Sequence, residues 1–272
     1  MQENISGFKI PPLNEIDFKI KYDQKYKNSH TFQIDLHTHR EFEIYINLSG
    51  DISFLVENEL YPLTCGDIII VRPGQAHHCV YRSDKKHCFF WILFNLENNP
   101  ELQEFVEENI NANYISPSRV LKEELIELCM NAAENKIEES QKLFYFFRLL
   151  YILKTSSSET IEAPKAMPDE LTSILNYIDG HLSENLKVSD IAKALYISES
   201  TIRRRFKDYI NINPLLFIQK RKLHYAATIL KNGESVLNAG LSVGYADTSY
   251  FIGLFKRQYG ITPYQYKQKF SK

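Results

Sequence analysis

Residues 255–263 read FKRQYGITP, and residues 206–214 read FKDYININP. Phe, Lys, Ile and Pro recur in register at an offset of 49, and Thr262 stands opposite Asn213. An apolar and basic run that closes on Gly or Asn and then Pro marks the end of one helix and the start of the next. A residue at positive φ stops the helix, and Gly does so with least strain. Asn is the commonest substitute there. Asn211 and Gly260 are therefore expected to share one left-handed conformation. Pro214 and Pro263, with φ fixed, then open the following helices.

Upstream of each repeat lies a helix-turn-helix pattern, two short helices with a tight turn between them. In VSDIAKALYISESTIRRRFKDY (188–209), Val188, Ile191, Ala192 and Leu195 make the inner face of a first helix. Ser198 is placed to cap the second. Ile202 and Phe206, four apart, face inward, which leaves Glu199, Ser200, Arg203, Arg204 and Lys207 outside. In VLNAGLSVGYADTSYFIGLFKRQY (236–259), Val236, Ala239, Gly240 and Val243 take the first-helix role. Gly244 falls in the turn, Asp247 caps, and Phe251 and Phe255 face inward. Ala192 aligns with Gly240 at an offset of 48, so the second turn holds one extra residue.

Between the copies, PLLFIQKRKLHYAATILKN (214–232) sets Leu216, Leu223, Ala226, Ala227 and Leu230 at helical spacing. Nineteen residues span about 28 Å of helix. Adjacent major-groove segments on one duplex face lie about 34 Å apart. A rigid helix of this length suits two recognition helices in successive grooves.

Charge divides in the same way. Residues 169–272 hold 15 Lys and Arg against 9 Asp and Glu, a balance of +6. Residues 1–168 hold 17 against 25, a balance of −8. The C-terminal part is the one suited to a polyanion. The N-terminus has no basic flank before an apolar run, and no apolar stretch reaches the roughly 20 residues a bilayer needs. Four cysteines without a C-x-x-C pair read as reduced thiols of a cytoplasmic protein.

Residues 30–96 read as short strands, with FEIYINL (42–48), DISFLV (51–56) and DIIIV (67–71) separated by turn signals at 49–50, 65–66 and 73–74. This spacing predicts a barrel or sandwich. From Pro100 the pattern turns helical. Leu121, Leu125, Leu128 and Cys129 share a face, and KLFYFFRLLYIL (142–153) is apolar almost all round. Residues 155–168, polar and with two prolines, read as a linker. In 169–182, Leu171, Ile174, Leu175, Ile178 and Leu182 form one stripe.

The stretch 171–270, and VGYADTSYFIGLFKRQYGITPYQY above all, resembles the DNA-binding domain of the AraC/XylS family of bacterial transcription regulators. The resemblance implies base-facing positions at Ser200, Arg203 and Arg204, with Glu199 and Lys207 beside them. On the second helix it implies Asp247, Thr248, Ser249, Ile252 and Gly253, with Lys256 for phosphate. Arg203 or Arg204 paired bidentately with guanine would discriminate by about 1–3 kcal/mol. The family usually carries Arg where Gly253 stands and a small polar residue where Ile252 stands. Lys222 replaces its usual linker-helix Arg, with Arg221 before it. The first helix is therefore expected to carry most of the readout.

The segment HTHREFEIYINLSG, with His37, His39 and Glu43, and the later GDIIIVRPGQAHH, with His77, are similar to the cupin pattern. Residues two apart on a strand share a face, so His37, His39 and Glu43 are expected together. The second cupin motif departs at Pro73-Gly74, which lacks the usual spacer, and at Tyr81 in place of Asn. Three roles stay open for the four residues: a metal site, an effector pocket, or hydrogen bonding within the fold. The resemblance favours the effector pocket, without cofactor or metal.

The resulting expectation is an α+β multidomain chain. It has a cupin-like β-barrel (1–100), a helical dimerisation segment (101–154), a linker (155–168), and an all-α domain with two helix-turn-helix motifs (169–272). The resemblance implies a cytoplasmic transcription activator that acts as a homodimer. Its partners would be double-stranded DNA, a small effector such as a carbohydrate, and RNA polymerase, with no membrane partner. The alternative is a metal-dependent cupin enzyme with an accessory DNA-binding domain.

Overall fold

A computed structural model describes residues 17–25, 36–96, 99–132, 138–157 and 167–271. The first strands are β1 (Asp17–Lys25), β2 (Phe42–Ser49), β3 (Ile52–Val56), β4 (Glu59–Leu63), β5 (Ile68–Val71), β6 (His77–Tyr81) and β7 (His87–Asn95). A two-residue β8 (Tyr114–Ile115) follows later. They form two antiparallel sheets, ordered β1-β7-β2-β5-β8 and β4-β3-β6. The expected turn signals fall between strands, as the sequence reading requires.

Alternation along the strands explains the layering. Ile44 and Ile46 of β2 turn to one side, into a core with Phe90, Ile92 and Phe94 of β7 and with the helices that follow. Tyr45, with Ile69, Val71 and Phe89, turns to the other side and meets Ile52, Phe54 and Val56 of β3. All five residues of β3 are buried. A strand apolar on both faces needs cover on both. The second cover comes from the C-terminal half, because Leu55, Leu60 and Val80 share a core with Leu171, Ile174, Ile202 and Phe206. Four layers result: helices, the five-stranded sheet, the three-stranded sheet, and the first helix-turn-helix unit.

The segment 101–154 is not helical throughout. It holds α1 (Pro100–Asn109), β8, α2 (Arg119–Ala132) and most of α3 (Glu139–Ser157). Strand β8 pairs with β5, and Leu125, Leu128, Phe146 and Leu149 bury against the sheet. No break in the core falls near residue 100, because the apolar helix faces are the cover for the five-stranded sheet. The expected linker also starts later. Residues 155–157 complete α3, 158–166 lie outside the described residues, and Met167 already packs on the C-terminal core.

The C-terminal half is helical as expected, with α4 (Asp169–Gly180), α5 (Val188–Ala194), α6 (Glu199–Arg205), α7 (Pro214–Lys231), α8 (Val236–Ser242), α9 (Thr248–Tyr259) and α10 (Pro263–Phe270). Asn211 has φ 59° and Gly260 φ 75°, so both repeats end in the left-handed region. Ser198 and Asp247 cap α6 and α9 by accepting from Thr201 N and Tyr250 N. The two turns match bond for bond at an offset of 48. Ile197 N donates to Ala192 O, and Tyr245 N to Gly240 O. The extra residue of the second turn is Ala246, between that bond and the cap. One feature was not expected, a π-wound turn (Phe206–Ile210) that continues α6. It lets Asn211 N reach Phe206 O, five residues back, where Gly260 N reaches Lys256 O, four back.

Helix α7 departs from its expected stripe. Leu223, Ala226, Ala227 and Leu230 are buried, but Leu216 is exposed, and Phe217 and Ile218 bury instead. The helix touches the first unit with its N-terminal part and the second with its C-terminal part. Its buried face therefore rotates along its length.

Candidate nucleic-acid interface and histidine cluster

The second helix of each unit presents its polar edge to water. On α6, Ile202 is fully buried, as is Phe206 just beyond, while Glu199, Ser200, Arg203, Arg204 and Lys207 are exposed. Burying a Phe of this kind stabilises by about 1.5–3 kcal/mol, and that anchor fixes which edge faces out. The three consecutive arginines separate. Arg205 is held by Glu170 at 2.5 Å, whereas Arg204 reaches into solvent. Arg203 pairs with Glu199 at 3.3 Å, one turn away. Glu199 thus orients Arg203, and such an exposed pair is worth only a few tenths of a kcal/mol.

On α9, Asp247, Ser249, Gly253 and Lys256 are exposed and Thr248 is half-buried. Ile252, expected among the base-facing positions, packs against the core of the second unit. Its β-branched side chain has an apolar neighbourhood to fill, so it serves the fold more than the polar edge. The sequence reading passed over two exposed tyrosines, Tyr250 on α9 and Tyr196 in the first turn. Aromatic side chains were read as core material, and nothing local distinguishes these two.

Lys222 and Arg221 point inward from α7. The Lys222 ammonium donates to the carbonyls of Glu184 and Val243, joining the two units. Burial pulls its pKa down. Arg221 donates from Nε and Nη2 to Asp179 of α4 at 2.9 and 2.5 Å. Its Nη1 donates to Glu57 of the β3–β4 turn, also at 2.5 Å. Burial opposes the charge on Arg221, but the two carboxylates outweigh it and raise its pKa. A cleft of about 690 Å³ opens beside this joint, lined by Glu57, Asp179, Arg221, His224 and Glu234 among others.

At one end of the gap between the sheets, His37, His39 and Glu43 converge as their spacing predicts, and His77 joins them as the resemblance to the cupin pattern implies. Their ligating atoms all lie within 4.8 Å of one another. Glu43 comes from β2 and His77 opens β6. His37 is held beside it by paired backbone bonds, His37 N to His77 O and His77 N to His37 O. Glu43 Oε2 lies 2.8 Å from His39 Nε2 and 3.3 Å from His77 Nε2. Burial pushes the Glu43 carboxyl up, but His77 and His39 outweigh it and hold it well below the carboxylate range. Burial lowers the His39 pKa, and the contact with Glu43 more than restores it, for a net rise. Three imidazole nitrogens and one carboxylate form a donor set that fits a first-row transition metal.

Comparison with known proteins locates both halves. Residues 24–146 match the AraC-like ligand binding domain family, and residues 191–269 match a helix-turn-helix domain family. The HTH-type transcriptional activator RhaR of Mannheimia succiniciproducens is 25% identical over 260 residues, covering 87% of this chain and 88% of its own. The activator RhaS of Escherichia coli (strain K12 / DH10B) is 21% identical over 246 residues, covering 85% and 87%. The regulatory protein PocR of Salmonella typhimurium is 27% identical over 117 residues, covering 43% and 39%.

Proposed function

The chain belongs to the AraC family of transcription regulators, and from that premise we propose that it is a sequence-specific DNA-binding activator controlled by a small effector. It is a regulator and not an enzyme, as its relatives are. The observation that carries the DNA-binding reading is the duplicated unit. Two helices with exposed polar edges, each stopped by a residue in the left-handed region (Asn211 and Gly260), sit on one 18-residue helix that is partly buried between them. That helix spans about 27 Å, which suits adjacent major-groove segments of one duplex face.

In this reading Ser200, Arg203, Arg204 and Lys207 meet DNA from α6, and Asp247, Thr248, Ser249 and Lys256 from α9. Gly253 offers no side chain, so α6 carries most of the base readout. Operator selection with the full chain, followed by Arg203→Ala and Thr248→Ala on single-base operator variants, tests this. Arg203→Ala is expected to cost about 1–3 kcal/mol and to relax preference at one position. Thr248→Ala is expected to leave base preference nearly intact. Equal loss of discrimination from both would sink the unequal division of readout.

The two sheets are read as a cupin-like barrel that senses the effector from within the cytoplasm. A carbohydrate is supported by the cleft of about 400 Å³ beside them, lined by Tyr61, Tyr114, Asn111, Asn113 and Glu59. Stacked aromatic faces with amides and a carboxylate suit a polyol. Helices α2 and α3 supply the homodimer contact, since Val120, Phe144 and Tyr151 are largely exposed and the last two lie seven residues apart on one face. Phe144→Glu is expected to convert dimer to monomer in light scattering and to weaken operator binding at least tenfold. An unchanged mass would remove this face from the interface. RNA polymerase is then the partner that an activator placed on DNA would touch.

A further inference from the structure

Three residues other than glycine hold a positive φ among the described residues: Glu57, Tyr196 and Asn211. The fold accounts for two of them. Glu57 accepts from Ala76 N and from Arg221. Asn211 stops α6 and its π-wound turn with the residue type that, after Gly, best suits that conformation. Tyr196 has neither reason. Its side chain is 96% exposed. Among the described residues its hydroxyl makes no hydrogen bond and its ring meets no other ring. A tyrosine is strained at φ 55°, and Gly would hold the same turn without strain. The second unit does so, with Gly244 at the matching position and φ 76°. Strain that no packing offsets points to work done outside the fold.

The two turns also differ in their surroundings. A Cβ on Gly244 would lie 2.7 Å from the Ser183 carbonyl oxygen, so the second turn is closed by the chain between α4 and α5. The first turn is open. Lys193, Ala194 and Ser198 around Tyr196 are exposed, and Tyr196 N donates to Lys193 O at 3.3 Å. A lysine and a phenol thus share one open turn.

Where this turn meets DNA follows from α6. The first residues of a recognition helix enter the major groove. Tyr196 precedes the Ser198 cap by two residues, about 7 Å of chain at most. The groove is about 12 Å wide, so a backbone strand runs about 6 Å from a helix centred in it. Tyr196 is therefore carried to the rim, where the acceptors are phosphate oxygens rather than base edges. A phenol donates one hydrogen bond to such an oxygen, and its ring covers the adjoining deoxyribose. Lys193 supplies the opposite charge.

We propose that Tyr196 and Lys193 clamp one phosphate of the strand beside the groove that α6 enters, with the Tyr196 hydroxyl donating to a phosphate oxygen. The clamp sets the depth and register of α6 and reads no base. Tyr196 is thus a positioning residue, and it stands only on the unit that carries most of the readout. The clamp rests on the DNA-binding reading above and extends it to a turn that the reading does not otherwise use.

The test uses the full chain and the operator it selects. Tyr196→Phe removes only the hydroxyl and is expected to weaken binding at least ~5-fold. The factor should be the same on every single-base operator variant, because a phosphate carries no sequence. Tyr196→Gly is expected to weaken binding at least as much while the fold becomes more stable in urea, a divergence that a structural role would not produce. Lys193→Gln should lower the slope of log affinity against log salt by about one, and Tyr196→Phe should leave that slope unchanged. Ethylation interference is expected to find one phosphate beside the first unit whose modification weakens the wild-type chain and weakens Tyr196→Phe no further. Wild-type affinity in both tyrosine variants overturns the clamp, as does a loss confined to one base pair. Unchanged DNA binding with reduced transcription in vitro would assign the ring to a protein surface and overturn the clamp as well. A chain that selects no operator overturns the DNA-binding reading, and the clamp with it. A chain that selects one and is indifferent to Tyr196 overturns the clamp alone.

Discussion

Arg221→Met is expected to destabilise the full chain by about 2–3 kcal/mol in denaturant unfolding. The guanidinium is almost wholly buried and satisfies two carboxylates at once, Asp179 and Glu57. Removing one partner of a fully buried ion pair costs about 3–5 kcal/mol, because the remaining charge is left without compensation. Here Asp179 is a quarter exposed and Glu57 about a third, so water recovers part of that loss and the lower figure applies. Both arms reach across the joint between the halves. Asp179 ties α7 to α4 and also accepts from Asn58 Nδ2 of the β3–β4 turn at 2.6 Å, while Glu57 ties α7 to that same turn directly. Glu57→Gln is therefore expected to cost about 1 kcal/mol or less, and Asp179→Asn, which disturbs both the Arg221 pair and the Asn58 bond, more than that. Equal losses in urea unfolding would refute this ranking.

Glu57 also shows where sequence reading stopped. It adopts φ 51° at the β3–β4 turn, a conformation usually left to Gly or Asn. It accepts from Ala76 N at 2.7 Å as well as from Arg221. Its partner is 164 residues away, and no local pattern marks such a pair. What was legible was local. The caps at Ser198 and Asp247, the left-handed stops at Asn211 and Gly260, and the even spacing of His37, His39 and Glu43 follow from rules about neighbours within one turn or one pleat. Strands β2, β3 and β5 were legible for the same reason, whereas β1 and β8, the two edges of the five-stranded sheet, were not.

What was not legible came from the assembly of elements. Leu216 was assigned inward because a single stripe was fitted to α7, which serves two cores. The extra helical cover on the five-stranded sheet was read as a separate unit, since an apolar helix face announces burial without naming its partner. Ile252 stood in a base-facing position by analogy, and it is partly buried against the core of the second unit because its apolar side chain finds cover there. At the histidine cluster, the sequence placed the four residues together. It did not fix which nitrogen each ring turns inward, because that depends on the carbonyls of Glu41 and Gln75.

Gly244→Ala is expected to have the largest effect of the glycine changes in the DNA-binding half, a loss of about 3 kcal/mol or more, with operator binding falling in parallel. Two causes add. At φ 76° a side chain is strained by about 1–2 kcal/mol. An added Cβ would also lie 2.7 Å from the Ser183 carbonyl oxygen and 3.0 Å from that of Glu184. Those are backbone atoms, and Lys222 pins the Glu184 carbonyl in place while it also holds Val243. The clash therefore falls on the contact that sets one helix-turn-helix unit against the other. The first unit supplies the control within the same chain. Tyr196 occupies the matching turn position at φ 55° and is 96% exposed. No backbone crowds it, so it carries the strain alone, and Tyr196→Gly is expected to stabilise by about 1 kcal/mol. Gly260 has a similar φ of 75° but open space around it, so Gly260→Ala is expected to cost only about 1–2 kcal/mol. Gly253 is helical and also open, and Gly253→Ala should stabilise by up to ~1 kcal/mol. Urea unfolding of the four variants orders them, and operator binding separates them further. Of the glycine variants only Gly244→Ala alters the spacing of the two recognition helices, so among them only it should lose affinity beyond its loss of folded protein. A Gly244→Ala chain that unfolds like Gly260→Ala would mean that the backbone around Ser183 yields, and that the two units are not rigidly set against each other.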